Sequence, residues 1–189
     1  MVNEHRFLCY RSLMKSGDRT SRAGEYAIGI SVHTGWGACV VVGGSPRDPQ
    51  IIGNTVIELL EDKERFCYHH AAGMKAASVP EWLGQVRARA LAQARNALTP
   101  LLTPTVRVGA IVAKHGALPD PDAALATHMR IHLAEGLFYR DIFREACRIP
   151  CRITPPASLD ITVVGRIATK PWSRDQKLAA LAAWHALSP

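Results

Sequence analysis

The chain has 189 residues, of which 48% are hydrophobic and 21% are charged. This composition is typical of a folded globular protein and excludes an intrinsically disordered chain. No apolar stretch approaches the roughly 20 residues that a membrane-spanning helix requires, so we expect no membrane partner. The formal net charge of +7 favours a polyanionic partner, because each phosphate that a cation neutralises releases counterions. Nucleic acid is therefore the expected partner.

The cysteines and the first residues of the chain indicate its compartment and its organisation. The five cysteines are an odd number without a Cys-x-x-Cys pair, which favours free thiols and predicts a cytoplasmic protein. Residues 1–25 contain five basic and three acidic residues and show no hydrophobic periodicity. We interpret them as a mobile basic N-terminal extension. Residues 26–189 are expected to form one domain.

The first part of the domain is predicted to form three consecutive strands. An apolar run at 26–32 and a β-branched run at 38–42 are separated by a short polar turn that contains glycine. A second turn at 43–48 leads to a third run at 50–60. Short connections between successive strands predict an antiparallel meander.

Helices and strands then alternate along the chain. Ser78 and Glu81 have the spacing of a capping box, which predicts a helix that ends near Leu98. A buried strand is expected at 106–113, followed by one long helix that begins at Asp120-Pro121 and ends near Arg148.

The last part of the chain is less uniform. A short strand is expected at 151–154. The segment 159–168 has both the residue types of a strand and the apolar spacing of a helix, and we favour a helix capped by Ser158. Ser173 and Gln176 form a second capping box, which begins a final helix that ends at Leu187. The order of elements predicts an α/β fold with a mixed sheet, antiparallel on one side and parallel on the other.

Two segments resemble a known superfamily. Gly29-Ile-Ser-Val-His-Thr-Gly35, followed by Gly37-Ala-Cys-Val-Val-Val42, resembles the first hairpin of Holliday-junction resolvase-like and actin-like domains. The final helix, Asp175-Gln-Lys-Leu-Ala-Ala-Leu-Ala-Ala-Trp184, is similar to the closing helix of the resolvases. Together with the strand order, the resemblance implies a ribonuclease H-like fold.

The resemblance also implies a chemistry from which this sequence departs. Nucleases of this class use several carboxylates to hold two divalent ions, and the first-strand acid is the central ligand. Ser31 stands where that acid is expected, and a neutral hydroxyl supplies neither the charge nor the bridging oxygens. Asp175 matches the closing acid by position, whereas Glu58 has no clear counterpart.

A polar stripe on the long helix is the second candidate site. His128, His132 and Glu135 follow at i, i+4 and i+7, so they project from one side of the helix. Their arc overlaps the apolar face that includes Met129 and Tyr139, which predicts that polar groups point inward. Such a conflict with the hydrophobic pattern is often seen at functional sites.

Three interpretations of this stripe are open. The histidines are structural and Glu135 bonds a buried partner such as Arg140 or a backbone amide. Alternatively, the stripe lines a cleft as acid–base groups, with His33 or His69 facing it. In the third interpretation, the stripe binds a divalent metal ion. The neighbouring pair His69-His70 is expected in an exposed loop, and a basic loop from Lys170 to Arg174 is an alternative anion site.

The expected function combines these observations. The predicted catalytic residues are His128, His132, Glu135, His33 and Asp175, gathered in one cleft. The predicted metal ligands are Glu135, Asp175 and His132, for Mg²⁺, Mn²⁺ or Zn²⁺. We expect a metal- or histidine-assisted phosphoester hydrolase that acts on nucleic acid, with a homodimer as one assembly state. The alternative is a non-catalytic module that binds nucleic acid or protein through a degenerate site.

Overall fold

The computed structural model describes residues 25–166 and 172–187. The predicted N-terminal extension lies outside these residues, apart from Glu25, and so do Lys170 and Pro171 of the predicted anion loop. None of the described helices is both long enough and apolar enough to cross a membrane.

Within the described residues, five strands form one mixed sheet in the order β3-β2-β1-β4-β5. The strands are β1 (Tyr26–His33), β2 (Trp36–Ser45), β3 (Asp48–Glu58), β4 (Val106–Val112) and β5 (Cys151–Thr154). β1, β2 and β3 pair antiparallel, whereas β4 pairs parallel with both β1 and β5. The α/β fold predicted from the sequence, with a mixed sheet that is antiparallel on one side and parallel on the other, is confirmed.

Six α-helices surround the sheet within the described part of the chain. They are α1 (Asp62–Arg65), α2 (Cys67–Ala71), α3 (Val79–Leu98), α4 (Pro121–Leu125), α5 (His128–Cys147) and α6 (Arg174–Ala186). Three short 3₁₀ helices occur at Ala76–Ser78, Pro156–Ser158 and Ile161–Arg166.

The central strand β1 separates two apolar layers because its side chains alternate between the faces of the sheet. Ile28 and Ile30 lie in the larger core with the buried sides of α3 and α5. Ala27 lies on the other face, where it packs with alanines of α6. Gly29 lies on this second face too, directly against the backbone of Ala179. The two faces therefore carry different helices and different sites.

The long helix predicted from Asp120 is two helices. Asp120 does cap the first of them, accepting a hydrogen bond from the amide of Ala123 at 2.8 Å. However, Thr127 has an extended backbone, with φ −149° and ψ 153°, and its hydroxyl accepts from the amide of Arg130. A threonine hydroxyl can replace the missing backbone partner at a helix start, so the chain stops α4 and begins α5 there.

Two other local predictions also need correction. Ser78 does not cap α3, because its own backbone is helical as the last residue of a 3₁₀ turn, and its side chain makes no capping bond. Ile161–Arg166 forms a 3₁₀ helix instead of a strand or a full α-helix. Ser158 does not cap it, since its hydroxyl donates to the carbonyl of Pro155, and Asp160 accepts from the amide of Thr162 instead.

Gly29→Ala should destabilise the protein, because a Cβ at this position would lie 1.8 Å from the carbonyl oxygen of Ala179. Separating α6 from β1 to relieve this overlap should cost at least about 1–3 kcal/mol of unfolding free energy. Gly84→Ala is the matched control: a Cβ there meets nothing within 4 Å, and alanine is favoured over glycine inside a helix by about 0.8–1.0 kcal/mol. Urea unfolding measures both, and equal effects would contradict the proposed contact.

Ser173→Ala should cost about 1 kcal/mol of unfolding free energy, since Ser173 caps α6. Its hydroxyl accepts from the amide of Gln176 at 3.2 Å, and the Gln176 side chain accepts from the amide of Ser173 at 3.0 Å. Ser78→Ala changes the same residue type at the other predicted capping box and should leave stability nearly unchanged. If Ser78→Ala lowered the unfolding free energy as much as Ser173→Ala, the assignment of Ser173 as the cap of α6 would be refuted.

Candidate functional site

The predicted site residues lie in two groups on opposite faces of the sheet. Ser31, His33 and Asp175 meet where β1 ends against the start of α6. His128, His132 and Glu135 lie on α5, which packs on the other face together with Ile28 and Ile30. The single cleft expected from the sequence is therefore not formed. Glu135, Asp175 and His132 are not brought together as ligands of one metal ion.

The first group is held by one carboxylate oxygen. Oδ1 of Asp175 lies 2.7 Å from Nε2 of His33 and accepts a hydrogen bond from the Ser31 hydroxyl at 3.3 Å. The His33 ring stacks on Trp36, with 4.3 Å between ring centroids and 7° between ring planes. Trp36 opposes His33 across the β1–β2 pair, so the hairpin itself fixes the orientation of the imidazole.

This first group does not fit the two divalent ions that the resemblance implies. Ser31 is buried and uses its hydroxyl on Asp175, and Oδ1 of that carboxylate is also engaged by His33. Asp175 is the only carboxylate hydrogen-bonded to Ser31 or His33 in the part of the chain that the structure describes. Two dications about 4 Å apart need several carboxylates to offset their charge. The arrangement lacks them.

The second group is a cluster of imidazoles at the junction of α2 and α5. One ligand nitrogen from each of His69, His128 and His132 lies within 4.8 Å of the other two. Nε2 of His69 is 3.3 Å from Nε2 of His128, and the His69 and His132 rings are 4.6 Å apart. The loop expected at His69-His70 is instead the five-residue helix α2, which places His69 over the first turns of α5. Hereafter we call His69, His128 and His132 the imidazole cluster.

Glu135 lies behind the imidazole cluster and is completely buried. Its Oε1 accepts from the backbone amides of Tyr68 and His69 and lies 3.0 Å from Nδ1 of His69. Its Oε2 is buried and has no hydrogen-bond partner. Backbone amides are thus the partners, as one interpretation of the sequence expected. Arg140 is not a partner, because it bonds the carbonyls of Lys114 and Gly116 and the carboxylate of Asp141.

The contact with Glu135 favours one tautomer of the neutral His69 imidazole. When Nδ1 donates to the carboxylate, Nε2 carries the lone pair. That nitrogen points at His128 and toward solvent.

The stripe does not point inward as a whole. Glu135 is buried, whereas His128 and His132 are exposed, and Met129, which was expected on the apolar face, is 81% exposed. The reason is the helix break at Thr127: the first turn of α5 starts anew there and extends past the edge of the core. Only from Ile131 onward do buried residues recur along α5.

The nearest thiol is not available as an ionised group. Burial, reinforced by the negative charge of Glu135, raises the pKa of Cys67 to about 12. The same two influences, together with Cys67, raise the pKa of Tyr68 above its usual range. At neutral pH the polar chemistry of this site therefore rests on imidazoles and one carboxylate.

Comparisons with known proteins concern the fold. No protein-family model matches the sequence, and a search of curated proteins gives no match. Among solved structures, the chain is similar to RuvC of Thermus thermophilus in complex with a Holliday junction substrate, at 16% identity and a TM-score of 0.45. It is also similar to a second structure of Thermus thermophilus RuvC, at 14% identity and a TM-score of 0.44. Both matches cover 86% of this chain and 93% of the other chain.

Proposed function

We propose that the protein hydrolyses phosphate esters, with nucleic acid as the substrate class, and that the imidazole cluster performs the chemistry. One observation supports this above the others: three imidazoles converge on a solvent-facing surface, and a buried carboxylate orients one of them. Histidine is suited to proton transfer near neutral pH. In the strand-end group, by contrast, the side chains of Ser31 and His33 both contact the Asp175 carboxylate.

The proposed reaction assigns different tasks to different imidazoles. Nε2 of His69 takes a proton from a water molecule, whose oxygen attacks phosphorus. The bond between phosphorus and the leaving oxygen breaks, and a protonated imidazole of His128 or His132 donates a proton to that oxygen. Glu135 stabilises the imidazolium that forms on His69, because its carboxylate lies 3.0 Å from Nδ1. Atoms and charge balance with water as the only co-reactant.

Two electrostatic features favour an anionic substrate at this position. His128 is the first residue of α5, a helix of 20 residues, and the N-terminus of a helix attracts anions through its free amides and its dipole. The net charge of +7 attracts polyanions over longer distances.

His69→Asn and His132→Asn should each lower the hydrolysis rate at least about 100-fold, the usual contribution of a positioned acid or base. The assay follows bis(p-nitrophenyl) phosphate and end-labelled DNA and RNA oligonucleotides at saturating substrate. His115→Asn removes an exposed histidine outside the cluster and should leave the rate unchanged. Hydrolysis that survives the loss of His69, or that disappears in all three variants alike, would refute the proposal.

A second candidate function follows from the strand-end group. Ser31 replaces the expected acid, and Asp175 is tied to both Ser31 and His33, which favours a degenerate site that binds nucleic acid or a protein without cleaving it. In that case wild-type protein should bind labelled oligonucleotides in a salt-dependent manner without cleaving them. Asp175→Ala should then alter binding, whereas His132→Asn should not.

A further inference from the structure

We propose that the imidazole cluster binds a single divalent transition-metal ion of the Zn²⁺ type, with Glu135 as the outer carboxylate that orients His69. This inference rests on the proposed function and deepens it by naming a cofactor of the same site. With the ion bound, the three imidazoles would be its ligands, and the ion would supply the activation of water that the metal-free reaction assigns to Nε2 of His69. Metal binding is measurable without any substrate, so the two proposals can fail separately.

The distance between the His69 and His128 nitrogens matches that of a tetrahedral site. Zinc–nitrogen bonds of about 2.0–2.1 Å at tetrahedral angles place two ligand nitrogens about 3.3–3.4 Å apart. Nε2 of His69 and Nε2 of His128 are 3.3 Å apart. His128 and His132 are one helical turn apart, which puts both imidazoles on the same side of α5. Helix α2 supplies the third imidazole from the facing side.

The buried carboxylate is a second observation that points to a cation. Glu135 is fully buried, and its Oε2 has no hydrogen-bond partner. A buried charge is costly unless it is paired. The ion pair seen at Glu135 is with the imidazole of His69, which carries a positive charge only when it is protonated or holds a cation. A dication on His69 would supply the missing positive charge through the imidazole. Carboxylate–histidine–metal chains of this kind are a recurring feature of zinc sites.

The donor set selects the class of metal. Three imidazole nitrogens suit Zn²⁺ and its neighbours among the transition metals, whereas Mg²⁺, Ca²⁺ and Mn²⁺ prefer oxygen ligands. Cys67 is not one of the ligands, because its thiol is completely buried in the core and does not belong to the group of converging ligand atoms. Three protein ligands leave a fourth position for water on the exposed side of His128 and His132, an arrangement typical of catalytic zinc sites.

The opposing influence is the start of α5, whose dipole disfavours a cation next to His128. A helix dipole at an exposed N-terminus corresponds to about half an elementary charge and is screened by solvent. The full charge of Glu135 is buried and contacts His69 directly. The attraction by Glu135 therefore outweighs the repulsion by the helix.

The test is isothermal titration of the full chain, produced without a polyhistidine tag and stripped with chelator, against ZnCl₂ and separately against MgCl₂. We expect one Zn²⁺ per chain and no measurable Mg²⁺ binding at the same concentration. Replacing Zn²⁺ by Co²⁺ should give the visible absorption of a tetrahedral cobalt site.

Variants assign the site to named residues. His69→Asn, His128→Asn and His132→Asn should each weaken Zn²⁺ binding at least about 100-fold, since each removes one of three ligands. Glu135→Gln should weaken it about 10–100-fold, as loss of an outer-shell partner does, because the amide keeps the backbone contacts but removes the charge. Circular dichroism checks that each variant is folded. His115→Asn should bind Zn²⁺ like the wild type.

Two results would overturn the metal site: Zn²⁺ affinity that is the same in His132→Asn and the wild type, or equal affinity for Mg²⁺ and Zn²⁺. The proposed function is judged by a different measurement. Tight Zn²⁺ binding without hydrolysis supports the metal site and refutes the hydrolase. Hydrolysis that persists in chelator, with no Zn²⁺ binding in titration, supports an acid–base hydrolase and refutes the metal site.

Discussion

The buried carboxylate of Glu135 is the interaction on which the candidate site depends. It joins two helices that are far apart in the sequence, because its Oε1 receives two backbone amides and one imidazole nitrogen of α2 while Glu135 itself belongs to α5. Helix α2 has only five residues, too few for stability of its own. Its position over α5 is therefore set by tertiary contacts, and Glu135 makes the buried polar ones between α2 and α5. Without this contact His69 would not be held against His128.

A second constraint separates the two polar groups of the protein. Alternation along β1 sends Gly29 and Ser31 to the face covered by α6, while Ile28 and Ile30 face α3 and α5. On the first face the small residues let α6 approach the strand closely, which brings Asp175 within reach of Ser31. On the second face the bulky core ends at Ile131, and the first turn of α5 extends beyond it. The polar residues on the first face are therefore hydrogen-bonded to one another, whereas the imidazole cluster on the second face is exposed to solvent.

The strands and their order could be predicted because each depends on a local pattern. Runs of β-branched residues separated by turn residues mark β1, β2 and β3, and alternation with helices determines the rest of the sheet. Caps were less predictable. Ser173 and Ser78 have the same motif, yet only Ser173 has the extended backbone that lets its hydroxyl reach the following amides. The conformation of a single residue before the helix decides the outcome, and the motif does not specify it.

The candidate site shows a similar division. Helical spacing correctly grouped His128 and His132, because one turn of α5 is enough to bring them together. It assigned the two histidines to the same inward-facing stripe as Glu135, although they lie in the first turns of α5, before the helix has entered the core. The contribution of His69 depends on a contact across 59 residues of sequence, which no local period encodes. The sequence does contain one usable signal, which is the acid among the apolar residues of α5. A buried carboxylate needs hydrogen-bond partners, so this signal predicts that another segment of the chain packs against Glu135 and supplies them.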